Sequence, residues 1–269
     1  MSEQTPETKR IFENPILHTI TVIIIGVLAL DLIVLVHEFG HFFACQMFGV
    51  ETNIFSIGFG PALFKIKLFN TTFQISAIPL GGYVEPKPES FAIQPYLVKA
   101  FILMAGIINN ILFAYGITTT LKLFLKRSSN AIANQENNTN TETQNKGDYE
   151  TQNKTDPNIL RTQVQEFVHR ETNGRNFIGP FGIINLLGKS ALISLPIFCI
   201  LLATISLNVG VFNLLPIPPL DGGELLLTTI RAIIGPLSPQ TTTFITSILI
   251  GIFLMLLFLN SLKSSRSNS

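Results

Sequence analysis

The run ILHTITVIIIGVLALDLIVLVHEFGH, from Ile16 to His41, decides how this chain is read. It is apolar over more than the ~20 residues needed to cross a bilayer, and it ends in His37-Glu38-Phe39-Gly40-His41. Ionisable groups at membrane depth are costly and usually mark a functional site. At four-residue spacing a helix carries His37 and His41 on one face about a turn apart. Both can then reach one metal ion, with Glu38 beside them. In H-E-x-x-H the histidines bind zinc and the Glu is the general base of a metalloprotease. The alternative is a chance pentapeptide in a packed helix, and the intramembrane setting counts against it.

Composition agrees with a membrane protein: of 269 residues, 47% are hydrophobic and only 13% charged. A net charge of +1 gives no reason to expect a nucleic-acid partner. Cys45 and Cys199 form no C-x-x-C pair, so neither a disulfide framework nor a cysteine zinc site is expected. Both read as small buried side chains. The polar stretch Met1 to Pro15, followed by so long an apolar run, reads as a tail before an uncleaved first span.

The fold class is therefore an α-helical polytopic membrane protein with about four transmembrane helices. The spans are expected near Leu17–Phe43, Val98–Leu123, Ala191–Leu215 and Thr243–Leu262. Between the first two, Phe55 to Gly82 alternates apolar and polar residues, as in Phe64-Lys65-Ile66-Lys67-Leu68 and Phe73-Gln74-Ile75-Ser76. Asn70-Thr71-Thr72 reads as a turn, so a small membrane-associated β-hairpin is expected within 52–86, the alternative being an ordinary interfacial loop. Residues 16–125 and 176–269 form two halves of a membrane core. The tract 126–175, rich in Asn, Thr, Gln and charge, cannot bury enough apolar surface to offset ordering and is expected to be largely disordered. Ile159, Leu160, Val164, Phe167 and Val168 suggest one short amphipathic helix near its end, with His169 a solvated surface histidine.

Two histidines do not complete a catalytic zinc site, which takes a third protein ligand and an open position. Asp221 is the best candidate. It follows Asn213-Leu214-Leu215-Pro216-Ile217-Pro218-Pro219-Leu220, whose prolines must break the helix. Carbonyls freed at membrane depth need burial or a wet cavity. A surface turn would use the same residue types. Asn208 and Asn213, five residues apart in an apolar span, either hydrogen-bond a neighbouring helix or orient a scissile backbone near the metal. Asp31, seven residues before Glu38, falls near the same helical face; a buried polar contact is the preferred reading over tuning of the base. His18 reads as interfacial.

These motifs, together with Phe55-Ser56-Ile57-Gly58-Phe59-Gly60 and Pro79-Leu80-Gly81-Gly82-Tyr83-Val84, resemble the site-2 protease family of intramembrane zinc metallopeptidases. The chain is most like the regulator of sigma-E protease subgroup of bacteria. The resemblance implies zinc (Zn2+) bound by His37, His41 and Asp221, Glu38 as catalytic base, and Asn208 and Asn213 in substrate handling. It implies regulated intramembrane proteolysis of a membrane-embedded protein substrate, such as an anti-sigma factor or a remnant signal peptide. It also implies location in the bacterial inner membrane. Two departures stand out. The tract 126–175 is too short and polar for the PDZ domain of that subgroup, and Ile107 replaces the Pro of Gly-Pro-x-x-Asn in Ala105-Gly106-Ile107-Ile108-Asn109-Asn110. Lys65, Lys67, Lys87, Lys126 and Arg127 give a mixed positive-inside signal, while the family analogy places both termini outside the cytoplasm. Rival readings are a catalytically silent membrane scaffold of the same fold, or a transporter using the polar groups as an ion path.

Overall fold

A computed structural model describes residues 14–136, 157–173 and 179–267. The elements in chain order are α1 (Pro15–Met47), β1 (Thr52–Leu68), β2 (Thr71–Pro86), α2 (Pro88–Ala92) and α3 (Tyr96–Glu136). They continue with α4 (Pro157–Thr172), α5 (Pro180–Ile193), α6 (Leu195–Asn213), α7 (Asp221–Ile234) and α8 (Pro239–Ser267).

Among the described residues, three helices are long and apolar enough to cross a membrane: α1, α3 over Tyr96–Arg127, and α6. At 1.5 Å per residue, the 33 residues of α1 reach about 50 Å, beyond a ~30 Å hydrocarbon layer. Ile24, Leu28, Leu112 and Tyr115 stay exposed on α1 and α3, as side chains facing lipid would. The fourth expected span falls on α8, whose described apolar stretch, Pro239–Met255, is shorter than the other three.

Two boundaries differ from expectation. Pro196 lies where the third span was expected to run on, and the chain breaks there into α5 and α6. Helix α3 continues ten residues past Lys126 to Glu136, because no Gly or Pro between them ends it. It also runs unbroken through Ile107, which is buried. The expected amphipathic helix is α4, with Leu160 and Phe167 buried and His169 exposed. Of the tract 126–175, residues 126–136 and 157–172 are helical, while 137–156 lie outside the described residues, as do most of the N-terminal tail and 174–178.

The strands form a two-stranded sheet joined at Phe69-Asn70, with Phe69 at φ 54°. Its inner face is polar, which alternation alone did not foretell. Thr52 bonds Thr71, the Ser56 and Ser76 hydroxyls are 3.0 Å apart, and Gln74 Nε2 donates to Ser56 (3.1 Å) and to the Tyr83 hydroxyl (3.2 Å). Phe42 on α1 packs edge-on against Phe55 and Phe73, fastening the sheet to the helix end that carries the His-Glu-His cluster.

The chain divides into two compact units. One takes Met1–Val34, Ile78–Gly81 and Leu112–Leu207, and the other Leu35–Ala77, Gly82–Ile111 and Asn208–Ser269. In the first, the Gly81 N–H donates to Asp31 Oδ1 (3.1 Å), the buried polar contact expected of Asp31. The second has a core of Ala44, Cys45, Val50, Ile102 and Ala105 and contains every residue of the candidate site. Cys45 is buried as expected, and Cys199 is half-buried.

Candidate metal centre

The last turns of α1 present His37 and His41 on one face, both buried. Asp221 opens α7, where an acid suits the positive end of the helix dipole. Its placement depends on the chain folding back tightly after α6. A Cβ on Gly222 would overlap the Leu214 and Leu215 carbonyls, so only glycine fits there. The broken segment Pro216 to Leu220 thus serves to return the carboxylate to the histidines.

Asp221 Oδ2 lies 2.9 Å from His37 Nε2 and 3.2 Å from His41 Nε2, and the two nitrogens are 3.1 Å apart. The Oδ2 atom is buried and makes no hydrogen bond with acceptable geometry, which leaves it available to a cation. Among the described residues this is the group of His, Cys, Asp and Glu that could hold a metal ion. Ligand atoms about 2.0–2.1 Å from a tetrahedral zinc stand roughly 3.3 Å apart, so the three atoms already have nearly the spacing such a site needs. Two imidazoles and one carboxylate are also a zinc donor set, with a position left open.

Surrounding groups orient these ligands. His41 Nδ1 lies 2.8 Å from the Ile102 carbonyl, which can only accept, so Nδ1 carries the proton and Nε2 keeps its lone pair. His37 Nδ1 lies 3.2 Å from the amide of Asn110 on α3. Next to it, Asn109 donates to the Val36 carbonyl, tying α3 to α1 beside His37. Gly106 on α3 leaves room for the rings: a Cβ there would overlap His41 Nε2 and crowd His37.

Glu38 is half-buried, and its Oε2 accepts the Val84 N–H (3.1 Å) from β2. The Pro79–Val84 motif therefore has a physical task, to bring a strand amide to that carboxylate. The other expected residues sit differently. Asn213 Nδ2 donates to the Val209 carbonyl of its own helix (3.1 Å), and Asn208 is exposed. Asn109 and Asn110 belong to the motif whose proline is replaced by Ile107. Their signal was adjacent amides inside an apolar span, which need partners there.

A helical chain that gathers the two histidines of H-E-x-x-H and a distant aspartate at one point has the donor set of the metallopeptidase class. The family model for Peptidase family M50 matches residues 25–258. The chain belongs to that family, the site-2 protease family. It is 34% identical to the regulator of sigma E protease of Haemophilus influenzae over 131 residues, 40% of this chain and 30% of that protein. It is 41% identical over 106 residues to a Helicobacter pylori protein named "Putative zinc metalloprotease", 34% of this chain and 30% of the relative. A Fusobacterium nucleatum protein described in the same words is 25% identical over 302 residues, 78% of this chain and 88% of its own length. The chain thus spans about a third of the first two relatives and most of the third.

Proposed function

We propose that this chain is a zinc-dependent intramembrane endopeptidase that cuts peptide bonds within or near transmembrane segments of membrane proteins. The observation that carries the reading is the meeting of Asp221 with His37 and His41 within 3.2 Å, although 180 residues separate Asp221 from His41 in sequence. When bound there, zinc supplies Lewis-acid chemistry, acidifying water and polarising a carbonyl.

The rest falls to side chains. His37 and His41 offer Nε2 and Asp221 offers Oδ2. Glu38 takes a proton from the attacking water and passes it to the leaving amine nitrogen as the C–N bond breaks. The Val84 N–H holds one Glu38 oxygen, so the carboxylate is aimed before substrate arrives. A transmembrane helix hides its peptide bonds, and cleavage requires it to unwind. A free edge of the β1–β2 hairpin can hold the unwound chain by β-augmentation. Asn208 and Asn213, at the C-terminal end of α6, are assigned to the substrate backbone.

A relative's name, regulator of sigma E protease, makes a membrane-bound anti-sigma factor one substrate to test, beside remnant signal peptides. The bacterial inner membrane is the corresponding location. The test is the full chain in proteoliposomes with a single-span substrate. Wild type is expected to cleave it and to lose activity to a chelator. Zinc-loaded protein inert toward every single-span substrate would favour the silent scaffold instead.

A further inference from the structure

Each ring of the site must present an unprotonated Nε2 to ligate, and the two rings are held to that task differently. For His41 the Ile102 carbonyl settles the tautomer. His37 Nδ1 lies 3.2 Å from Asn110 Nδ2, and a half-turn of that amide would present its oxygen to the ring instead. If the amide nitrogen donates, Nδ1 accepts and the ring proton sits on Nε2, the atom 2.9 Å from Asp221 Oδ2. That ring cannot bind a metal. If the amide oxygen faces the ring, Nδ1–H donates and Nε2 offers its lone pair. The two amide orientations differ by a half-turn and have nearly the same shape.

We infer that Asn110 is the positioning residue for His37: in the metal-loaded protein its amide oxygen accepts the Nδ1–H and fixes the ligating tautomer. The inference rests on the reading of His37, His41 and Asp221 as ligands. Its setting supports the role. Asn110 is 0% exposed, so bulk water does not compete for the amide. Gly210 of α6 closes over it, since a Cβ there would stand 3.3 Å from the Asn110 Cβ and 3.4 Å from the Ile107 carbonyl oxygen. Asn109 anchors the same turn of α3 to the Val36 carbonyl. Packing fixes the place of the Asn110 side chain but not which end of its near-symmetric amide faces the ring, so the orientation suited to metal is chosen by its hydrogen bond to the ring.

The experiment measures zinc Kd by chelator competition on the full chain, in a Glu38→Gln background so that turnover plays no part. Asn110→Leu keeps the branched outline, with somewhat more bulk, but removes the acceptor. It is expected to weaken zinc 10–100-fold, the usual loss for an outer-shell partner of a histidine ligand. Asn110→Asp, which as a carboxylate can only accept, is expected to hold zinc at least as tightly as the parent. Nitrogen-15 NMR of the zinc-loaded parent and Asp variant is expected to show the His37 proton on Nδ1. Zinc bound equally well by Asn110→Leu and the parent would overturn the inference while leaving the ligand assignment intact. So would an Asp variant as weak as the Leu variant, for then Asn110 acts through packing alone. Failure of the parent to bind zinc would overturn the ligand assignment itself, and this inference with it.

Discussion

Asp31 and Glu38 lie seven residues apart on one helix, and each accepts a backbone N–H from β2. Gly81 donates to the first and Val84 to the second, both at 3.1 Å. As isolated contacts they are the same device, a carboxylate in an apolar helix satisfied by a strand amide. The difference lies in the company. Glu38 shares its stretch of helix with His37 and His41, whose ring nitrogens meet a third ligand. Asp31 lies six residues before His37, and its described bond to the strand has no metal ligand beside it in sequence. A buried acid therefore reads as chemistry only when its neighbours supply something to act on, and otherwise as a fastener for the backbone.

That contrast breaks if the two acids respond alike. Glu38→Gln keeps the shape and removes the base, and is expected to lower cleavage about 10²–10⁴-fold with zinc content unchanged. Retained turnover would take Glu38 out of its role. Next in size, Asp221→Asn removes a charged ligand and is expected to weaken zinc by more than the 10–100-fold typical of outer-shell partners. Equilibrium dialysis checks this, and unchanged affinity would remove Asp221 from the site. Asp31→Leu should leave zinc affinity alone but orphan the Gly81 N–H, costing about 1–3 kcal/mol of stability. Asp31→Asn, still an acceptor, should recover most of that in a thermal melt. A fall in zinc affinity with Asp31→Leu would mean that the two carboxylates are not separable. The smallest effect is expected within the hairpin. Gln74→Leu deprives the Ser56 and Tyr83 hydroxyls of their amide donor and should cost roughly 1 kcal/mol, read as a shift in the melting midpoint.

Much of this was legible in the sequence, for identifiable reasons. Period and length exposed the helices, because a bilayer demands long apolar runs. Alternation and a short turn exposed the hairpin. The pairing of His37 and His41 follows from helical spacing alone. Asp221 is the acid that follows a proline-broken helix, and the structure brings it to the two rings. What did not show was anything carried by the backbone. The Val84 N–H at Glu38, the Ile102 carbonyl at His41 and the overlap that Gly106 avoids leave no side-chain signature. The polar inner face of the hairpin was hidden because alternation distinguishes two faces but not which one is covered. Asn208 and Asn213 were legible as polar groups in a span, yet Asn213 turns to its own helix and Asn208 is exposed. Their proposed work depends on a substrate.

The assembly of one metal by residues from α1 and α7 is tested most directly by zinc-edge X-ray absorption on the purified full chain. Light ligands, imidazole nitrogen from two histidines together with carboxylate oxygen, are expected at about 2.0–2.1 Å, with the signal altered in Asp221→Ala. A zinc environment identical in wild type and Asp221→Ala would contradict it.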